Sequence, residues 1–341
     1  MNRILVTGSE GYIGSVLVPM LLERGYDVTG LDTCFYSEGN LTGASPLSYD
    51  LIKKDVRDVE QDDLKNFDAI IHLAALSNDP LGKLSDSLTM DINFHASVRL
   101  AELAKRAGVE RFIFASSCSL YGQSDHVLTE EDLSNPQTAY GKSKIMAEQG
   151  LSGLADDAFS PIFMRNATAF GISPRMRFDI VVNNLTGYAK TTGRIQILGD
   201  GTPWRPLVHV RDISSACIQV LKAGRSQIHN QAFNIGDSAE NFQIKTIAEK
   251  ISEEFRDCAV TIAQENAGDT RNYIVSFDKV KQHLGFQIEM PLVRGIRGIK
   301  QVYDKIELDR NMFDDRLYTR LKQIEWLLEQ NKLNSELRWQ L

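Results

Sequence analysis

The sequence predicts a doubly wound parallel α/β sheet of the Rossmann type, with a smaller substrate lobe interleaved toward the C-terminal end. Three observations predict it. Short β-branched apolar runs alternate with longer helical patterns through the first half, and a glycine-rich turn follows the first run directly. After about Gly171 the texture changes to turns and shorter apolar pieces. The apolar runs are nearly continuous rather than alternating, as strands covered on both faces must be.

In order, Ile4-Leu5-Val6 is the first strand, and Ser15 to Arg24 reads as the first covering helix. Asp27-Val28-Thr29-Gly30-Leu31, Ala69-Ile70-Ile71-His72-Leu73, Phe112-Ile113-Phe114-Ala115 and Pro161-Ile162-Phe163-Met164 continue the strands. Between them, Leu88 to Ala107 and Tyr140 to Gly150 are rich in Leu, Ala, Glu, Lys and Arg, which favour helix. Beyond a Gly-Asp-Gly-Thr-Pro turn, Leu207-Val208-His209-Val210 and Ala232-Phe233-Asn234-Ile235-Gly236 read as strands that rejoin the first unit. The partition expected is a cofactor domain over 1–170 with returning strands near 207–236, a substrate lobe from 171–206 and 237–310, and a helical extension over 311–341. In that extension Leu317, Leu321, Ile324 and Leu328 share a helical stripe, expected to pack on its own subunit, while Trp326 near the opposite face leaves a partner contact open.

Composition narrows the function. Of 341 residues, 43% are hydrophobic and 24% charged, which suits globular domains and argues against disorder. The net charge of −7 supplies no field for a nucleic-acid backbone, so an anionic ligand has to be met by a few local arginines. Four cysteines, Cys34, Cys118, Cys217 and Cys258, have no CxxC spacing, and no apolar signal core or membrane-length run appears. A cytoplasmic chain with reduced thiols and no membrane span is expected.

Gly8-Ser9-Glu10-Gly11-Tyr12-Ile13-Gly14 links the first strand to the first helix. Glycines there let backbone amides approach a pyrophosphate at the positive helix end. Asp32, at the end of the second strand, can accept both hydroxyls of an adenosine ribose and would repel a 2′-phosphate, which favours NAD over NADP. A capping role is the alternative. Asp55-Val56 can hold an adenine amino group or close a turn.

Tyr140 and Lys144 lie four apart on one helical face, one loop beyond the Arg111–Ala115 strand. A phenol ordinarily ionises near pH 10, so it serves as acid or base only beside positive charge, which Lys144 and an oxidised nicotinamide would supply. The same strand ends in Ser116-Ser117-Cys118-Ser119-Leu120-Tyr121-Gly122, where Ser117 can orient a substrate oxygen.

Together these residues resemble the extended short-chain dehydrogenase/reductase superfamily, specifically the NAD-dependent epimerases and dehydratases of nucleotide sugars. The resemblance spans roughly residues 3 to 300 and rests on the glycine motif, Asp32, Asp55, His72-Leu73-Ala74-Ala75, Asn93, Ser117, Tyr140, Lys144 and Asn234-Ile235-Gly236. It implies a retained NAD held by Gly8, Gly11, Tyr12, Ile13, Gly14, Asp32, Asp55, Val56, Leu73, Ala74, Ala75, Asn93, Tyr140 and Lys144. It also implies a nucleoside diphosphate sugar held through Ser119, Thr168, Asn184, Leu185, Arg205 and Arg271, and a homodimer built on two helices per subunit. Tyr140 would be the acid/base, Lys144 would bind the nicotinamide ribose and Ser117 would polarise the sugar hydroxyl. For Arg271 the alternative is a turn ion pair with Asp269.

Departures from the family pattern narrow the chemistry. The Asp-Glu pair of the 4,6-dehydratases and the glutamate of the sugar-acid decarboxylases are replaced here by Cys118 and Ser119. The usual Phe-Asn pair is replaced by Ala167-Thr168, and the basic run Arg175-Met176-Arg177 follows, so a differently held sugar ring is expected. The leading expectation is an epimerase or oxidoreductase working through a keto sugar oxidised at C4. A net 4-dehydrogenase or 4-ketoreductase shares every motif, and a non-catalytic NAD-binding scaffold or redox sensor is the alternative of another class. Cys118 is expected to be buried and inert, the alternative being an additional acid/base that would point to epimerisation next to the ketone.

Overall fold

The computed structural model describes residues 2–43, 48–77, 85–263 and 271–340. Asp269, the alternative partner of Arg271, lies outside them. The strands in chain order are β1 (Arg3–Thr7), β2 (Asp27–Asp32), β3 (Asp50–Lys53), β4 (Ala69–His72), β5 (Arg111–Ser117), β6 (Val127–Leu128) and β7 (Ser160–Asn166). They continue as β8 (Thr168–Phe170), β9 (Arg194–Leu198), β10 (Trp204–His209), β11 (Gln231–Ile235), β12 (Asn241–Gln243), β13 (Ala259–Ala263) and β14 (Ile274–Val275).

Seven of them form one parallel sheet in the order β11-β7-β5-β4-β1-β2-β3. The chain winds outward from β1 through β2 to β3, then returns to the other side of β1 at β4. This reversal opens a crevice beyond the C-terminal ends of β1 and β4, the usual ligand position in such sheets. Alternation along each strand feeds two cores. Ile4, Val6, Ile71, Ile113 and Ile162 pack toward one layer with Leu17, Leu21, Ile213 and Cys217. Leu5, Ile70, Phe112, Phe114 and Phe163 pack toward the other with Leu100, Ala104, Ala147 and Leu151.

The expected return of two strands to this sheet holds for one. β11 pairs with β7, but β10 pairs with β8 and β12 in a separate three-stranded sheet. Only Ala167 separates β7 from β8, so one chain segment passes from the large sheet into the small one and carries β10 with it. The apolar pattern of β10 is the same for either partner. Around the small sheet, Phe170, Phe178, Val182, Leu207, Ile247, Ile296 and Tyr303 form the lobe's own core.

The C-terminal helix Arg320–Glu329 packs on its own chain through Ile324 and Leu327, against Phe35, Leu76 and Ile92. Its buried face is Arg320, Gln323, Ile324 and Leu327, one step from the expected stripe, and Leu317 lies before its start. Trp326 is sandwiched by cations, with Arg316 and Lys332 3.6 and 4.4 Å from its ring centre. No described helix is long and apolar enough to cross a membrane.

Candidate active site

A cavity of about 910 Å³ runs along the C-terminal ends of the large sheet and into the small lobe. At one end, Gly8, Gly11, Tyr12, Ile13 and Gly14 line it where β1 turns into the helix Gly14–Leu22. Gly8 has φ +72°, and a Cβ there would come within 2.7 Å of the Ala74 amide nitrogen. A side chain would therefore close the passage between the two chain segments that flank the crevice. The helix has no acidic residue in its first turn, leaving its positive end free to meet an anion.

Asp32 ends β2 in the same cavity. Its two oxygens accept the backbone amides of Glu10 (2.9 Å) and Cys34 (2.7 Å), which fixes the carboxylate with lone pairs to spare for ribose hydroxyls. Burial pushes it up to about 6 despite those bonds. Asp55 and Val56 also line the wall. Asp55 caps the turn Val56–Asp58 by accepting the Arg57 amide, and it pairs with the Arg57 guanidinium at 2.8 Å. Of its two sequence readings, the turn closure is what these bonds make, and Asp55 also lines the cavity.

Leu73, Ala74 and Ala75 follow β4 along the cavity. Two buried residues hold this stretch in place. His72 bridges Thr7 Oγ1 (2.6 Å) and Ser97 Oγ (2.8 Å), and burial brings it down to about 3, so it stays neutral. Asn93 accepts the Leu76 amide at 2.8 Å and donates to the Leu76 carbonyl at 3.1 Å and to Ser143 Oγ at 3.2 Å. Asn93 does not line the cavity; its amide is spent on positioning the wall.

To the same cavity β5 delivers Ser117, and the helix Ala139–Ser152 delivers Tyr140 and Lys144. Thr138 starts that helix by accepting the Gly141 amide at 3.2 Å, which sets Tyr140 in its first turn. Lys144 is buried, donates from Nζ to the Ala115 carbonyl at 2.7 Å, and lies 4.6 Å from the Phe114 ring centre and 5.7 Å from that of Tyr140. Burial lowers it to about 7. Cys118 points away, with its thiol against the Arg165 carbonyl at 3.0 Å, and burial raises it well above the ordinary thiol range. It is not a cavity residue.

Toward the small lobe the wall is Ser119, Thr168, Asn184, Arg205 and Arg271. Ser119 Oγ and Asn166 Oδ1, of two wall residues, are buried with no hydrogen-bond partner, which suits a polar ligand. Arg205 donates to the carbonyls of Trp204 (2.8 Å) and Arg271, tying the two arginines together. Leu185 is the other departure from the expected set. It points into the lobe's apolar core and does not line the cavity, being one residue along the helix from Asn184.

Sequence reasoning missed Tyr36, Ser77, Thr138, Asn166 and Arg320, all of which line the cavity. Arg177, within the basic run, lines it too, held by Asp179 (2.9 and 3.1 Å) and Ser77 (3.1 Å). Arg175 is engaged by Glu10 at 2.6 Å and by the Ser37 and Gly39 carbonyls. The run was a signal, but its partners lie in distant loops. Among the described residues no cluster suited to a metal ion occurs.

A parallel sheet with a glycine turn after its first strand, a carboxylate ending its second and a Ser-Tyr-Lys set on the wall of the same cavity defines a dinucleotide-dependent oxidoreductase of the short-chain type. Residues 4–236 match the model of the NAD dependent epimerase/dehydratase family, and the chain belongs to that family and uses NAD. It is 30% identical over 313 residues to a UDP-glucose 4-epimerase of Corynebacterium glutamicum, covering 86% of this chain and 93% of the relative. It is also 30% identical over 307 residues to a UDP-glucose 4-epimerase of Lacticaseibacillus casei, covering 83% and 91%. Among solved structures, MoeE5 in complex with UDP-glucuronic acid and NAD aligns with a TM-score of 0.77 at 28% identity, covering 90% of this chain and all of that one. The chain is therefore an NAD-dependent enzyme of the nucleotide-sugar epimerase and dehydratase kind.

Proposed function

We propose that this enzyme epimerises a uridine diphosphate sugar at C4. The observation that carries the reading is that Ser117, Tyr140 and Lys144 line one cavity together with Asp32 at the end of β2 and with Arg205 and Arg271, the Lys144 ammonium lying 5.7 Å from the Tyr140 ring centre and hydrogen-bonded to Ala115, two residues before Ser117 on β5. A sugar in that cavity sets its ring against Tyr140. The residues fit NAD, which when bound takes hydride from a sugar carbon and returns it. Tyr140 accepts the proton of the reacting hydroxyl, Ser117 orients that oxygen, and Lys144 holds positive charge beside the phenol. Return of the proton from Tyr140 after the keto sugar has rotated gives the other epimer. Arg205 and Arg271 match the diphosphate through their planar forks, and Ser119 and Thr168 contact the sugar.

The uridine and the glucose-type ring are supported by the names of the relatives, and elimination is disfavoured by Cys118 and Ser119 where an acid/base pair would be needed. Homodimerisation through the helices Ala96–Arg106 and Ala139–Ser152 belongs to the same proposal, as does a reducing cytoplasmic setting, which suits four free thiols. The test is a screen of purified protein against uridine and thymidine diphosphate sugars, with products read by NMR. A C4 epimer formed without accumulation of NADH supports the proposal. Stoichiometric NADH with release of a ketose would replace it with a net 4-dehydrogenase, and no turnover of any sugar with NAD firmly bound would favour a scaffold.

A further inference from the structure

The C-terminal extension covers one particular part of the cavity, the loop after Asp32. Trp339 Nε1 donates to the Thr33 carbonyl at 2.7 Å, and its ring lies 5.5 Å from that of Phe35. Gln323 donates to the Phe35 carbonyl at 3.0 Å, Arg316 pairs with Glu38 at 2.8 Å, and Arg338 reaches Asp55 at 3.4 Å. These contacts tie the extension to the loops that carry both carboxylates of the adenosine end.

At the centre of this strap stands Arg320, only 3% exposed yet part of the cavity wall. Its guanidinium lies 4.1 Å from the centre of the Tyr36 ring. Nη2 donates to the Arg175 carbonyl at 2.8 Å, and Nη1 is buried with no partner at all. Neighbouring cations are already committed, Arg175 to Glu10 and Arg177 to Asp179. Arg320 makes no ion pair among the described residues. A buried cation with an open donor is costly unless an anion meets it. Burial pulls it down to about 10, outweighing the opposing pull of Tyr36 and of the Asp179 and Asp32 carboxylates, neither of which pairs with it directly.

We propose that Arg320 is a ligand of the cofactor's pyrophosphate, delivered by the C-terminal extension to the cavity that holds the glycine turn. The choice among anions follows from the neighbours. Arg320 stands with Tyr36 and Arg175 on the Asp32 side, whereas Arg205 and Arg271 hold the far end next to Tyr273. The pyrophosphate is the one anionic group of NAD, and it lies in the chain of that molecule next to the ribose that Asp32 would hold. The extension thereby acts as a strap that NAD fastens. The proposal rests on NAD binding at Asp32 and goes beyond it.

Calorimetry of NAD, ADP, adenosine and UDP with nucleotide-freed wild type, Arg320→Met and Arg320→Lys tests it. Loss of a charged hydrogen bond predicts about 10- to 150-fold weaker binding of both NAD and ADP to Arg320→Met. Adenosine and UDP should bind both proteins alike, and Arg320→Lys should recover part of the ADP affinity. In the wild type, NAD should also slow hydrogen exchange across Arg320–Glu329, a readout that needs no variant. Unchanged NAD and ADP affinity would overturn the proposal. So would an equal loss for adenosine, which marks a merely structural residue, or a loss confined to UDP, which moves Arg320 to the substrate's diphosphate. Failure of the wild type to bind NAD would instead strike the cofactor reading on which it rests.

Discussion

Replacing Lys144 by methionine separates what the buried ammonium does from what its stem does. The side chain is buried, with Nζ 4.6 Å from the Phe114 ring centre, and methionine fills nearly the same space without the charge. At the 5.7 Å between Nζ and the Tyr140 ring centre, an effective dielectric of about 20 gives about 3 kcal/mol of stabilisation to a phenolate, roughly a hundredfold in rate. Loss of a charged hydrogen bond to the nicotinamide ribose should weaken NAD by a further 10- to 150-fold or so. The variant should also remove a pH effect on stability. Lys144 is lowered from 10.5 to about 7 in the folded protein, so between those values the unfolded chain binds the extra proton and wild-type stability rises with pH. Lys144→Met should lack that rise and melt no lower than wild type near neutral pH. The assays are single-turnover reduction of bound NAD by substrate, calorimetry of NAD, and melting temperature across pH. A variant that keeps full NAD affinity and loses less than about tenfold in rate would refute the electrostatic role assigned to Lys144.

Tyr140→Phe should contrast with it, keeping NAD and the fold while lowering turnover by about 10² to 10⁴. Near-full activity there would end the proton-transfer assignment. Asp32→Asn should weaken NAD and narrow its advantage over NADP, and because burial holds Asp32 up to about 6, wild-type NAD affinity should fall as pH drops through that value. Calorimetry with both cofactors from mildly acidic to neutral pH checks this, and a flat profile would contradict it. Arg205→Ala and Arg271→Ala should mainly raise KM, since a diphosphate is gripped equally before and during reaction. Steady-state kinetics with unchanged KM in both would remove them from the substrate site.

What was legible in the sequence is what neighbouring residues impose on one another. The β-branched runs dictate strands, the glycines after β1 leave room for a backbone approach, and the four-residue spacing of Tyr140 and Lys144 places both on one helical face. Asp32 and Ser117 were readable for the same reason, since each ends a strand whose place in a parallel sheet aims it at the crevice. Partner choice was not local. β10 carries an apolar pattern that suits either sheet, and only the switch at Ala167 decides that it leaves the large one. Asn93 and Leu185 sit beside the cavity in sequence terms, but helix rotation turns the first onto the Leu76 backbone and the second into the lobe core. Arg320 lies far along the chain from the glycine turn, in an otherwise ordinary charged helix, with no spacing rule to connect them. Local sterics and periodicity act over a few residues and can be read from sequence, whereas the burial of a single guanidinium against Tyr36 depends on contacts between distant segments that form only when the whole chain has packed.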